Sequence, residues 1–250
     1  MDKVKIAMWS GPRNISTAMM RSFENRTDTF VIDEPFYACY LKETGHNHPH
    51  RDEILKSQSV NYKKIVEICL DSLNDKRPIF YQKHMSHHML DKYNLDWIKG
   101  IKNCFLIRDP ELVISSFNKK FLIKSAEQLG YKQQYKIYNI VKNYEDPIII
   151  DSEDIIENPE VLLKKLCKKL KIKFEKQMLI WPPGPRKTDG VWAPYWYKNV
   201  FKSTKFVKSE KRGLKLSDSL KDIYLECMEY YNVLKKLSLN FSYLVLFHPH

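Results

Sequence analysis

Apolar residues gather in five short runs: Val4–Trp9, Thr29–Asp33, Ile79–Gln82, Asn103–Ile107 and Ile148–Asp151. Each run is largely continuous rather than alternating, the pattern of a strand covered on both faces. Helical stretches separate them. Ser16–Glu24 follows the first run, Val60–Leu73 the second and Pro110–Asn118 the fourth. Glu160–Leu170 opens behind Asn158-Pro159, with Val161, Leu162, Leu166 and Leu170 on one stripe. Strands alternating with helices predict an α/β fold, a three-layer sandwich around a parallel sheet of about five strands.

Late in the chain, Leu216, Leu220, Ile223, Cys227, Tyr230, Leu234 and Leu237 step by alternating fours and threes. That spacing predicts one amphipathic helix over 216–237, packed within the chain. The stretch 181–206 is irregular and dense in Trp, Tyr and Pro, so it is expected to be buried or to lie against a ligand. The short apolar tail Phe241–Phe247 is expected on the core. With no repeat and no Gly-, Ser- or Pro-rich linker, residues 1–250 read as a single domain.

Composition narrows the class. No apolar run reaches the ~18–20 residues of a membrane span, and the first apolar stretch is too short for a secretory leader. A soluble cytoplasmic protein is expected. The five cysteines are widely spaced without a C-x-x-C, which predicts buried free thiols. The net charge of +12 favours anionic partners. Much of it lies on lysine-rich helix faces such as Lys164-Lys165 and Lys168-Lys169. No zinc-finger or RNP-like segment accompanies it, so no nucleic-acid partner is expected, and a multiply charged nucleotide accounts for the same excess.

The candidate chemistry begins at the first turn. Ser10-Gly11-Pro12-Arg13-Asn14-Ile15-Ser16-Thr17 joins a strand to a helix, the P-loop-type arrangement that points free N–H groups and a helix dipole at one anion. Gly11 and Pro12 shape the turn, Arg13 can grip phosphoryl oxygens, and Ser16 and Thr17 can cap or donate. There is no second glycine and no lysine before Ser-Thr, which disfavours an ordinary nucleoside-triphosphatase loop. Taken alone, the same residues also fit a plain N-capped helix. Arg108 ends the fourth strand, where open α/β sheets bind ligands. Asp109-Pro110 starts a helix, and Ser116 lies just over two turns on. The pair can clamp a second phosphate, though a lone Arg-Asp-Pro is better read as a surface ion pair with a helix cap.

These segments resemble the sulfotransferases that use PAPS (3′-phosphoadenosine 5′-phosphosulfate). Pro12–Thr17 resembles their 5′-phosphosulfate loop, and Ile107–Ser116 their 3′-phosphate motif. Asp33-Glu34-Pro35 and Ile150–Ile155 with Asn158-Pro159 are similar to segments of bacterial members. The strongest likeness is to a subgroup that plants carry fused to an aminotransferase-like domain, through Trp9-Ser10-Gly11-Pro12-Arg13 and Gly190-Val191-Trp192-Ala193-Pro194-Tyr195-Trp196-Tyr197. The resemblance spans roughly residues 4–206. It implies PAPS as co-substrate, held by Gly11, Pro12, Arg13, Asn14, Ile15, Ser16, Thr17, Arg108 and Ser116. It also implies a small-molecule acceptor with a hydroxyl or amine, and no metal. Lys211-Arg212-Gly213 looks like the family's late Arg-Lys-Gly.

Two bases compete. His84 lies near the place of the family's Lys-x-His, although here Lys83 and His84 are adjacent, and histidine is the natural base near neutral pH. Glu34, ending the second strand, is the rival. Lys83 is expected at the bridging oxygen of the phosphosulfate. His46-Asn47-His48-Pro49-His50, His87 and His88 fit no zinc spacing and are expected on a loop near the acceptor. Two other readings stay open: a P-loop phosphotransferase or hydrolase, and a non-enzymatic nucleotide-binding module.

Overall fold

The computed structural model describes residues 3–71, 75–208 and 216–239. The tail Phe241–Phe247 and Lys211-Arg212-Gly213 lie outside the described residues. In chain order the elements are β1 (Val4–Ser10), α1 (Ser16–Glu24), β2 (Thr29–Asp33), α2 (Tyr37–Thr44), α3 (Arg51–Ser57), α4 (Tyr62–Asp71) and β3 (Ile79–Met85). There follow β4 (Lys102–Ile107), α5 (Pro110–Phe117), α6 (Tyr131–Val141), β5 (Ile148–Asp151), α7 (Ser152–Glu157), α8 (Pro159–Leu170), α9 (Ala193–Trp196), α10 (Lys198–Phe201) and α11 (Asp218–Lys236).

The five strands form one parallel sheet in the order β2-β3-β1-β4-β5. Continuous apolar runs become strands here because both faces are covered. Ala7, Trp9, Phe105 and Ile107 enter a core completed by α4, α5, α6 and α11. Ile6, Met8, Cys104 and Leu106 enter the opposite core, against α1 and α8. In α8, Pro159 occupies the first turn, where its missing N–H costs nothing, and Lys171 ends the helix with φ 57°. Its Leu162, Leu163, Leu166 and Leu170 are fully buried while Lys164 and Lys168 face solvent. All five cysteines are free and buried. Among the described residues no helix is long and apolar enough to cross a membrane.

The helix expected at Val60–Leu73 starts at Tyr62 as α4, and residues 72–74 lie outside the described residues. The structure also adds helices that periodicity had not marked. Tyr37, Ala38, Cys39, Tyr40 and Leu41 of α2 are all buried, so no polar stripe gives that helix away. In α6 the polar Gln134 sits on the buried face, where its amide donates to the carbonyls of Trp9 (2.9 Å) and Leu106 (3.0 Å). The expected 216–237 helix is α11, fixed by the Tyr231 hydroxyl donating to Asp151 Oδ2 at 2.8 Å.

The strand order decides where a ligand can sit. The chain leaves β1 for one side of the sheet, whereas β4 lies on the other side of β1. Connections therefore diverge at the carboxyl ends of β1 and β4, and that crevice is where open parallel sheets hold ligands.

Candidate active site

A cavity of about 230 Å³ opens at that crevice, lined by residues 12–17 after β1, Glu34 after β2, Lys83 in β3, and Arg108 and Ser116 after β4. Its anion side is built on backbone strain. Arg13 and Ile15 both have left-handed backbones, φ 59° and 50°. Alternating hands of this kind turn successive amides toward a common concavity. α1 then begins with no side-chain cap, and among the described residues the Ser16 and Thr17 hydroxyls have no hydrogen-bond partner. Gly11 is dictated by space, since a Cβ there would lie 2.4 Å from the Leu129 carbonyl oxygen.

The two expected phosphate clamps are contiguous. Arg13 Nε donates to Ser116 Oγ at 2.8 Å, and an Arg108 amine donates to the Arg13 carbonyl at 2.9 Å. Arg108 also pairs with Glu153 at 2.9 Å, and its own carbonyl accepts from the Tyr131 hydroxyl at 2.8 Å. Among the described residues no carboxylate pairs with Arg13. Burial, and after it the neighbouring Arg108 cation, hold Arg13 below its ordinary pKa. A half-buried cation that no carboxylate pairs, with a second cation beside it, is electrostatically suited to an anion. Asn14 fixes the loop: its amide donates to the Leu106 carbonyl at 2.7 Å and its Oδ1 accepts from Ser152 at 2.8 Å.

The opposite wall holds the titrating groups. In the β2–β3 register Asp33 lies beside Lys83, so the end of β2 delivers two carboxylates to one ammonium. Lys83 Nζ donates to Asp33 Oδ1 (2.9 Å), Glu34 Oε1 (2.6 Å) and the Tyr197 oxygen (2.6 Å), and is only 1% exposed. Burial alone would lower the Lys83 pKa, but the two carboxylates outweigh it and the net shift is upward. Glu34 moves upward as well, through burial first and with Asp33 adding to it, against the pull of Lys83. Glu34 is held with φ 42° immediately before Pro35, a position that favours extended backbone. The Gln58 amide grips its carbonyl at 3.1 Å. Both Lys83 and Tyr197 approach Oε1, and among the described residues no hydrogen bond reaches Oε2.

Lys83 and His84 part company because successive strand residues face opposite sides of a sheet. His84 lies outside the cavity, beside Trp9 in the register and stacked on it at 4.5 Å. Its Nε2 meets Gln82 Oε1 at 3.0 Å, and burial pushes its pKa down to about 3. The structure does not bring His84 to the other candidate residues.

The late aromatic motif packs against the wall that carries Asp33. Tyr197 donates to Asp33 and accepts from Trp192 Nε1 at 3.0 Å, while the Gly190 amide donates to Asp33 Oδ2 at 3.2 Å. Segment 181–206 thus closes the floor under the Asp33–Lys83 pair, with Trp181, Trp192, Tyr197 and Phe206 buried. An ion pair from Arg21 to Asp189 ties the segment to α1, the helix that follows the first loop. Tyr37, Tyr40, His46, His48, His87 and His88 complete the cavity wall, whereas His50 is not part of it. Burial lowers His48 to about 4 and His87 to about 3, so these imidazoles are neutral at pH 7. Among the described residues no cluster of His, Cys, Asp and Glu is arranged to hold a metal ion.

Comparison with known proteins bears on the family and the fold. The sulfotransferase domain model matches residues 4–238. Two Arabidopsis thaliana proteins, branched-chain-amino-acid aminotransferase-like proteins 1 and 2, are 37% and 35% identical over 231 residues, 92% of this chain. The chain spans 41% of the length of each. The sulfotransferase domain of the Synechococcus PCC 7002 olefin synthase superposes with a TM-score of 0.64 at 14% identity, covering 93% of this chain and 96% of that one. A sulfotransferase domain from the curacin biosynthetic pathway gives 0.55 at 16%, covering 90% and 97%. A mouse sulfotransferase complexed with PAP gives 0.50 at 11%, covering 95% and 89%. At such identities these structures speak for the fold, and the match over residues 4–238 speaks for the family: the chain belongs to the sulfotransferases.

Proposed function

We propose that the protein transfers a sulfuryl group from PAPS to a hydroxyl or amine of a small molecule, with Glu34 as general base and Lys83 as its charged partner. The observation that carries this reading is one cavity that holds Arg13, which no carboxylate among the described residues pairs, together with Arg108, the loop hydroxyls and the Glu34–Lys83 pair. PAPS supplies a sulfuryl group on a phosphate leaving group, with a second phosphate on the ribose. Arg13 with Ser16, Thr17 and the loop amides suits the 5′ end; Arg108 and Ser116 suit the 3′-phosphate. Glu34 Oε2 takes the acceptor's proton as the new oxygen–sulfur bond forms. Arg13 and Lys83 neutralise charge on the phosphate oxygen that keeps the electron pair of the broken sulfur–oxygen bond. The proton leaves Glu34 for solvent afterwards. Ser10–Thr17 lacks the lysine an ATP-dependent phosphotransferase would use, and five buried free thiols suit a reducing cytoplasm.

Arg108→Ala tests the ligand assignment. PAP carries the 3′-phosphate and AMP lacks it, so affinity for PAP should fall by ~1.5–3 kcal/mol while AMP binding changes little. Titration calorimetry with both ligands reads the difference, and equal losses would place Arg108 elsewhere.

A further inference from the structure

The acceptor side of the cavity does not end at its histidines. A second, larger cavity of about 810 Å³ adjoins it, and Tyr40, His46, His48, His87, Phe121 and Gln128 line both. The two cavities adjoin along that shared wall. Their electrostatics differ sharply. In the inner part, Lys83 is already held by Asp33 and Glu34, and His48 and His87 are neutral, so beside Glu34 the acceptor side has, among the described residues, no cation free to meet an anionic group. The Nδ1 atoms of His87 and His88 are buried without a partner, which suits an uncharged polar group. The outer part carries Lys120, Lys124, Lys132 and Lys136 against only Asp91 and Glu127. Asp91 is already occupied by Lys136 at 2.7 Å and Gln133 at 2.9 Å. Glu127 is stabilised first by its Ser125 hydrogen bond and only more distantly by Lys132. Lys120 rests over the Tyr195 and Trp196 rings with its ammonium on the Tyr195 carbonyl at 3.0 Å. Among the described residues neither Lys124 nor Lys132 has a carboxylate within ion-pair distance.

We propose that this vestibule is an anion subsite for the acceptor: the molecule sulfated is an alcohol or phenol whose far end carries a carboxylate or phosphate, held between Lys124 and Lys132. This rests on the sulfotransferase reading, since it takes Glu34 as the end at which the hydroxyl reacts. An uncharged body lies in the neutral, ring-lined inner cavity, and the anion lies where cations outnumber acids. A cationic tail is disfavoured by the same arithmetic.

The test uses the full chain saturated with PAP, so that the donor site cannot bind the probes. A series of phenyl and alkyl alcohols ending in a carboxylate, with linkers of one to six carbons, is titrated beside the matched primary amides. The expected result is that at least one acid binds better than its amide by roughly three- to ten-fold, the size that two exposed ion pairs supply. That advantage should shrink with added salt. It should vanish in Lys124→Gln/Lys132→Gln and reverse in Lys124→Glu/Lys132→Glu, with PAP affinity unchanged. If no acid in the series outbinds its amide, or if the charge-reversed variant keeps the preference, the vestibule is not an anion subsite. Failure to bind PAP at all would instead overturn the sulfotransferase reading. The two failures are therefore separable.

Discussion

Glu34→Gln is expected to lower turnover by ~10²–10⁴ while leaving PAP affinity nearly intact. The substitution keeps the shape and the contact with Lys83 but removes the oxygen that accepts a proton. His84→Ala should act otherwise. It opens a void against Trp9 and Trp97 and costs stability, but it removes no group from the cavity. Near wild-type turnover per folded molecule is expected of it. The pH profile carries a further sign. A base works only when ionised, so the rate should rise with pH, and burial beside Asp33 places that rise above the ordinary glutamate value of 4.5. The apparent pKa belongs to the Asp33–Glu34–Lys83 cluster as a whole. Single-turnover rates of both variants across pH decide the matter, and full activity in Glu34→Gln would remove Glu34 from the role of base.

The second large effect is on stability. Lys83→Met leaves two buried carboxylates facing each other without their cation. Breaking one side of a buried ion pair costs ~3–5 kcal/mol, a large share of the 5–15 kcal/mol that holds a typical domain. The pH dependence follows from the direction of the shifts. Without the ammonium, Glu34 loses the interaction that lowers its pKa, so its folded-state value, already raised, moves further above the unfolded one. A carboxyl raised in the folded state binds more protons there, so stability is recovered as pH falls through the raised value and lost as pH rises through it. Lys83→Met should therefore be markedly weakened at pH 7 and relatively less so near pH 5. Adding Asp33→Asn should restore part of the loss. Denaturant midpoints at the two pH values measure this, and an unchanged midpoint at pH 7 would mean that the three groups do not form the buried network.

How much of this was legible in the sequence follows the range of the forces involved. The five strands were readable because burial on both faces is written locally, in runs such as Asn103–Ile107. Arg13, Ser16, Thr17, Arg108 and Ser116 were readable as members of two motifs, and the structure brings them together. Their direct contact was not readable. The Arg13–Ser116 bond joins residues 103 positions apart and depends on β1 and β4 being neighbours. The same limit applies to Asp33, which acquires its partner only because β2 pairs with β3 in a register that sets it beside Lys83. Tyr197 was seen as part of an aromatic motif with no chemistry attached; its hydroxyl matters because segment 181–206 folds back under the sheet edge. His84 was the natural base from residue type alone. A period-2 count along β3, anchored on Lys83 in the cavity, puts its neighbour on the other face.

One measurement tests the central claim most directly: a thermal-shift comparison of PAP with ATP, ADP and AMP, with and without magnesium. A ligand at a hundred times its dissociation constant adds about 2.7 kcal/mol, or roughly 5–10 °C for a chain of this size. PAP is expected to give such a shift without magnesium, well above ADP and AMP, because the proposed site has Arg13 with its loop for one of its phosphates and Arg108 with Ser116 for the other. A larger shift from ATP with magnesium than from PAP would contradict the account.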